Sequence, residues 1–237
     1  MAARRLTALA LAAALIGAPA AAAGAMKAEV TTTADGLRVL SLSGTITYED
    51  RERVPAIIRR GGYDEVWLNS GGGNAFAGFA IGRALRQAGA VARIPAGSRC
   101  ASACVYVFAG APVRFADTAY TIGVHPASRS SADAYRRRVA DNISQRGDQA
   151  TREVIMDNER LGSVLGAGQA RYFLEMGVSA KLVEHLSEVR FDCIRYLSAN
   201  GLKYFNLVNT AGPPPPRYRP TDSRDIELGA GGGCPPR

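Results

Sequence analysis

The chain has 237 residues, 47% of them apolar and 7% aromatic, with 29 Lys+Arg against 21 Asp+Glu for a formal charge of +8. That length and apolar fraction fit one large globular domain and exclude a disordered chain. Four cysteines are too few for a disulfide-dense scaffold, and the composition is not collagen-like.

The N-terminus reads as an export signal. Arg4 and Arg5 precede an apolar run from Leu6 to Ile16, and small residues then offer Ala-x-Ala sites ending at Ala20, Ala23 and Ala25. The expectation is a signal peptide over residues 1–25, cleaved near Ala20 to Ala25, and a periplasmic or secreted product. A retained membrane anchor is the other reading, and it needs many weakly apolar alanines to reach spanning length. Cleavage removes both early arginines, so the charge falls from +8 to +6. Such a compartment permits disulfides among Cys100, Cys104, Cys193 and Cys234, whose pairing the sequence leaves open. A zinc site on Cys100 and Cys104 is the rival, weakened because no histidine lies near them and no second cysteine pair follows.

Residues 28–46 predict a strand pair, with Leu40 and Leu42 alternating with Ser41 and Ser43. Asp50 to Arg60 predicts a short helix closed by Gly61 and Gly62, in which Pro55 is tolerable only near the first turn. Strands and helices then alternate. Glu65 to Leu68 is a buried strand, Gly71 to Gly73 a turn, and Ala75 to Gln87 a helix. Val91 to Ile94 is a strand, Ser102 to Ala109 a helical run, and Ala119 to Val124 a strand. This rhythm argues for an α/β layer fold. Residues 130–189 look helical, and Arg136 to Arg138 there read as a solvated face rather than a nucleic-acid surface. Residues 197–208 return to the core. The segment 212–237, with four consecutive prolines and Gly231 to Gly233, is expected to form a disordered tail. One domain over residues 26–211 remains.

The chemistry concentrates between residues 68 and 126. The triple glycine Gly71-Gly72-Gly73 separates a strand from a helix, a place where backbone amides can face an anion. A phosphate loop needs Gly-Lys-Ser/Thr and no lysine is near; a dinucleotide fingerprint from Gly71 is broken by Phe76. Tight packing and an oxyanion hole remain as readings. Ser102, between Ala101 and Ala103, is a candidate nucleophile or a plain helix N-cap. Its surroundings are not a Gly-x-Ser-x-Gly elbow, because Cys100 and Cys104 hold the glycine positions. Of the two histidines, His125 ends an apolar strand just before Pro126, and His185 reads as a surface residue.

Taken together these segments resemble the ClpP/crotonase superfamily, over roughly residues 36–209. Trp67 to Gly73 with Gly78 looks like the Asn-Ser-Pro-Gly-Gly segment of the Clp protease proteolytic subunit, and Cys100 to Ala103 falls where that family keeps its serine. Ala109 to Phe115, Val124-His125-Pro126, Tyr196 to Ala199 and Phe205 to Asn209 match its later segments in order. The best likeness is to exported, ClpP-like proteins of bacteria. The resemblance implies a crotonase-like ββα-repeat fold, with the helical segment after the His-bearing strand. It also implies a serine peptidase or related hydrolase with Ser102 as nucleophile and His125 as general base. The oxyanion hole would use the amides of Gly73, with Gly72 as fallback, and Ala103. Ile194 stands where the family keeps its aspartate, and Asp192, two residues earlier, is the candidate third member. Gly71 replaces the proline and Asn209 the late aspartate.

A peptide or protein substrate follows, with no cofactor, no metal and no nucleic acid. No ATP-driven unfoldase is expected outside the cytoplasm, and self-association through the helical segment is an option. Two other classes stay open. One is a catalytically silent binding protein, favoured by the missing aspartate and by the cysteines straddling Ser102. The other is acyl-CoA chemistry on the same amides. A Ser-Lys mechanism is disfavoured, because Lys27, Lys181 and Lys203 lie in no matching motif.

Overall fold

A computed structural model describes residues 24–126, 133–190, 193–210 and 224–227. Residues 1–23 of the expected signal peptide, Asp192, Cys234 and most of the expected tail lie outside these residues. The chain is mixed α/β. Strand β1 (Lys27–Thr32) pairs antiparallel with β2 (Arg38–Ile46), and α1 (Asp50–Arg60) follows. Strand β3 (Glu65–Gly73) leads through helix α2 (Ala75–Gln87) to β4 (Val91–Ile94). The short strand β5 (Cys100–Ala101) runs into α3 (Ala103–Gly110), and β6 (Val113–Ala116) and β7 (Ile122–Val124) come next. Helices α4 (Asp133–Glu175) and α5 (Lys181–Ser187), strand β8 (Cys193–Tyr196), helix α6 (Ala199–Tyr204) and strand β9 (Arg224–Glu227) complete the order.

The sheet forks at β3. Its first half pairs in parallel with β2 and β4, and Ser70 further on pairs with Cys100 of β5. From β5 the path runs parallel to β7 and antiparallel to β8 and β9, while β4 continues in parallel to β6. Val66 and Leu68 of β3, and Ile122 and Val124 of β7, are all buried, each pair two residues apart and so on one face of its strand. All eight residues of α3 are buried, so this helix is apolar on every side and forms the centre of the core. Helix α2 crosses it at a glycine contact: a Cβ on Gly110 would lie 2.1 Å from the Gly82 carbonyl oxygen.

Arg114 closes the core from below. Its side chain is 1% exposed and donates to the carbonyls of Leu207 (2.8 Å), Asn206 (2.7 Å), Ala111 (2.6 Å) and Ala109 (3.2 Å). Burial, with the nearby Arg86 charge, brings its pKa down to about 10, so it remains cationic at neutral pH. The Ala-Gly-x-x-x-Arg stretch thus ties the C-terminal segment to the central helix.

Several expectations change. The triple glycine is not a turn but the last third of β3, set beside β2 after a register shift between Ser43 and Thr45. Pro55 lies at the sixth position of α1, past the first turn, and forfeits one helical hydrogen bond there. The helical segment is not continuous: Gly147 (φ 60°) breaks α4, and Gly177 (φ 69°) separates it from α5. His185 is no surface residue, being 6% exposed on α5 with its ring 5.2 Å from that of Phe205. Strand β6 was not foreseen. Within the segment expected as a disordered tail, Arg224–Glu227 pairs with β8 in register Cys193↔Glu227.

Candidate active site

Sheet register builds the centre of the site. Cys100 pairs with Ile122 and Ala101 with Gly123, so the residues just beyond these strands, Ser102 and His125, emerge side by side at one edge. The Ser102 amide donates to the Gly123 carbonyl at 2.9 Å and fixes that edge. His125 Nε2 and Ser102 Oγ are 2.7 Å apart, across 23 residues of sequence. At this distance the hydroxyl proton can pass to a neutral imidazole.

Ser102 occupies the N-cap position of α3 without serving as a side-chain cap. Its hydroxyl makes no capping hydrogen bond, and its backbone sits at φ 56°, ψ −126°, outside the regions where serine rests. A conformation of this kind costs about 1–3 kcal/mol and is found where a side chain must be aimed. It places Ser102 alone at the sharp junction between β5 and α3.

The glycine strand lies directly against this junction. A Cβ on Gly72 (φ 101°) would lie 2.6 Å from Ser102 Cβ, 2.6 Å from the Ala101 carbonyl oxygen and 2.9 Å from the Ala103 nitrogen. Only glycine lets β3 approach so closely. The Gly72 amide itself donates to Ser70 Oγ (3.1 Å), which in turn donates to the Gly44 carbonyl (2.5 Å). Gly72 is therefore the backing of the site and not an available oxyanion donor. At Gly73, the pairing with Ile46 draws on the Asn74 amide (2.8 Å to the Ile46 oxygen) and leaves the Gly73 amide outside the β2 ladder. Ala103 is the first residue of α3, where a helical amide has no intrahelical acceptor. The Ala103 amide, next to Ser102 in the chain, thus lacks an intrahelical acceptor, and the Gly73 amide is left out of the β2 ladder.

His125 is partly buried. Burial pushes its pKa below the ordinary 6.5, against a smaller opposing effect of the Pro126 backbone, so the ring favours its neutral, proton-accepting form. Its Nδ1 is buried and makes no hydrogen bond among the described residues. Asp192, the expected third member, lies outside them, and Ile194 of β8 is 7% exposed in the core.

Cys100 and Cys104 are joined in a disulfide that spans Ser102, so neither offers a thiolate to a metal. Cys193 is also disulfide-bonded.

Sequence reasoning missed which distant side chains lie beside the pair. Phe173 of α4 and Leu186 of α5 line a small recess together with Ser102, His125, Val105, Tyr106 and Val124. The helix that carries Phe173 is well anchored: Tyr172 Oη donates to the Tyr106 carbonyl at 2.7 Å, and Gln169 hydrogen-bonds the Tyr106 hydroxyl. Tyr106, buried and bonded in this way, has its pKa pushed up to about 12. The apolar residues of the 130–189 segment carried this role, but helical periodicity does not say which face meets a distant serine.

No protein-family model matches the sequence, and no curated protein matches it. Among solved structures, a point variant of ClpP1 from Listeria monocytogenes is similar at 19% identity and a TM-score of 0.43, over 72% of this chain and 88% of that one.

Proposed function

We propose that this chain is an exported, ClpP-like serine hydrolase acting on peptide or protein substrates. The observation that carries the reading is the 2.7 Å contact between Ser102 Oγ and His125 Nε2 at a strained strand-to-helix junction. Ser102 Oγ attacks the acyl carbonyl as its proton moves to His125 Nε2. The amides of Gly73 and Ala103 hold the oxyanion that forms, and His125 then returns the proton to the leaving amine. Water, deprotonated by the same ring, releases the acyl group from Ser102. Asp192 is assigned to orient His125 through Nδ1; the uncommitted state of that nitrogen among the described residues supports a partner of this kind. Export is supported by the order of charges, apolar core and small residues at the N-terminus, and by the disulfide. No helix among the described residues is long and apolar enough to cross a membrane.

The test is a fluorophosphonate probe on the processed protein, read by intact mass. One adduct on the native chain and none on Ser102→Ala is expected. Equal labelling of both refutes the serine mechanism.

Large apolar side chains exposed on α4 favour a second reading, a silent binding protein of the same compartment. Exposed Ile155, Met156, Val164 and Leu174 on α4 would then form its contact face. Absence of labelling in the native protein, whether or not its disulfides are reduced, selects that reading.

A further inference from the structure

Resting on the serine hydrolase reading, we propose that the Cys100–Cys104 cross-link is a positioning element that holds Ser102 in its reactive backbone conformation. The two cysteines bracket Ser102 symmetrically, one in β5 and one in the first turn of α3, with Cα atoms 5.2 Å apart. A chain free to extend over the same four steps spans about 13 Å, whereas a disulfide confines its ends to roughly 4.4–6.8 Å. The bond therefore forbids the extended conformations into which the turn around Ser102, held at φ 56°, could otherwise open.

The hydrogen bonds around the turn leave this task unfilled. The Cys100 amide reaches the Thr121 carbonyl (2.8 Å) and the Ser102 amide the Gly123 carbonyl (2.9 Å), both fastening the incoming strand to β7. The Val105 amide reaches the Ser102 carbonyl (2.9 Å) and starts the outgoing helix. Among the described residues, only the disulfide joins the incoming leg to the outgoing one through side chains. A loop this short removes little freedom from the unfolded chain, so the cross-link is poorly suited to stabilising the whole domain and well suited to fixing one turn. Both cysteines are 0% exposed, which makes the bond a permanent part of the folded, oxidised site and not a reversible gate. The cross-link also coexists with the short Ser102–His125 contact, so it supports that geometry and does not distort it. On this account the site is assembled only where disulfides form.

The test compares the native protein with C100A/C104A and C100V/C104A, the second keeping more of the buried volume. A fluorophosphonate titration separates the inactivation rate constant kinact from the binding constant KI, and circular dichroism with a thermal melt reports the fold. Expected are folded variants with KI within about threefold of native and kinact reduced about 10- to 100-fold, since an ångström of misplacement costs on this order. Folded variants with native kinact overturn the proposal. So does loss of fold in both variants, which would make the bond a staple for the domain. A native protein that reacts with no probe fails the hydrolase reading itself, and the positioning role falls with it.

Discussion

Gly72→Ala probes the contact between the glycine strand and the serine turn. The new methyl would lie 2.6 Å from both Ser102 Cβ and the Ala101 carbonyl oxygen, and a normal contact begins near 3.4 Å. The turn must therefore move by roughly 0.8 Å, because the opposing atoms are backbone or sit directly on it. The positive φ of 101° adds about 1–2 kcal/mol for a residue with a Cβ, and overpacking another 1–3 kcal/mol. A loss of about 2–5 kcal/mol in a domain of this size lowers the melting temperature by roughly 4–20 °C. Displacing Ser102 from its 2.7 Å contact with His125 is expected to lower the fluorophosphonate rate about 100-fold. The assay pairs that rate with a thermal melt and uses Gly71→Ala as control, one residue away, where an added Cβ meets nothing within 4 Å. Gly71→Ala should match the native protein in both measurements. Gly72→Ala labelled within threefold of native would refute the claim that β3 backs the serine.

The depressed pKa of His125 makes two further outcomes follow. The neutral ring is the competent base, so labelling should rise with pH through an apparent midpoint below 6.5; a midpoint at or above 6.5 contradicts burial as the governing influence. Because the unfolded chain then binds the proton more readily, this histidine's contribution to stability is present above pH 6.5 and is lost as pH falls through the folded-state pKa. Arg114→Met leaves the buried carbonyls of Ala109, Ala111 and Leu207 without this donor. It should cost about 3 kcal/mol, or roughly 6–12 °C of melting temperature. A melting temperature unchanged within 2 °C would show that the carbonyls find other donors.

Local signals in the sequence were enough for the α/β alternation and for several element bounds, because apolar period, caps and glycines act within a few residues. Helix α2 begins where expected at Ala75, its amides capped by the side chain of Asn74, and α1 ends at Gly61. Ser102, His125 and the glycine strand were marked by residue type and motif order. Their assembly was decided by tertiary structure. The β5–β7 register brings Ser102 to His125 across 23 residues, and the β2–β3 pairing distinguishes the Gly73 amide from the occupied Gly72 amide. Composition left four cysteines unassigned; the fold joins Cys100 to Cys104 around the serine. The approach of Phe173 and Leu186 to the site and the burial of His185 were equally out of reach. Each depends on which face of a helix meets a strand far away in sequence, and side-chain periodicity records that a face is apolar without naming what it meets.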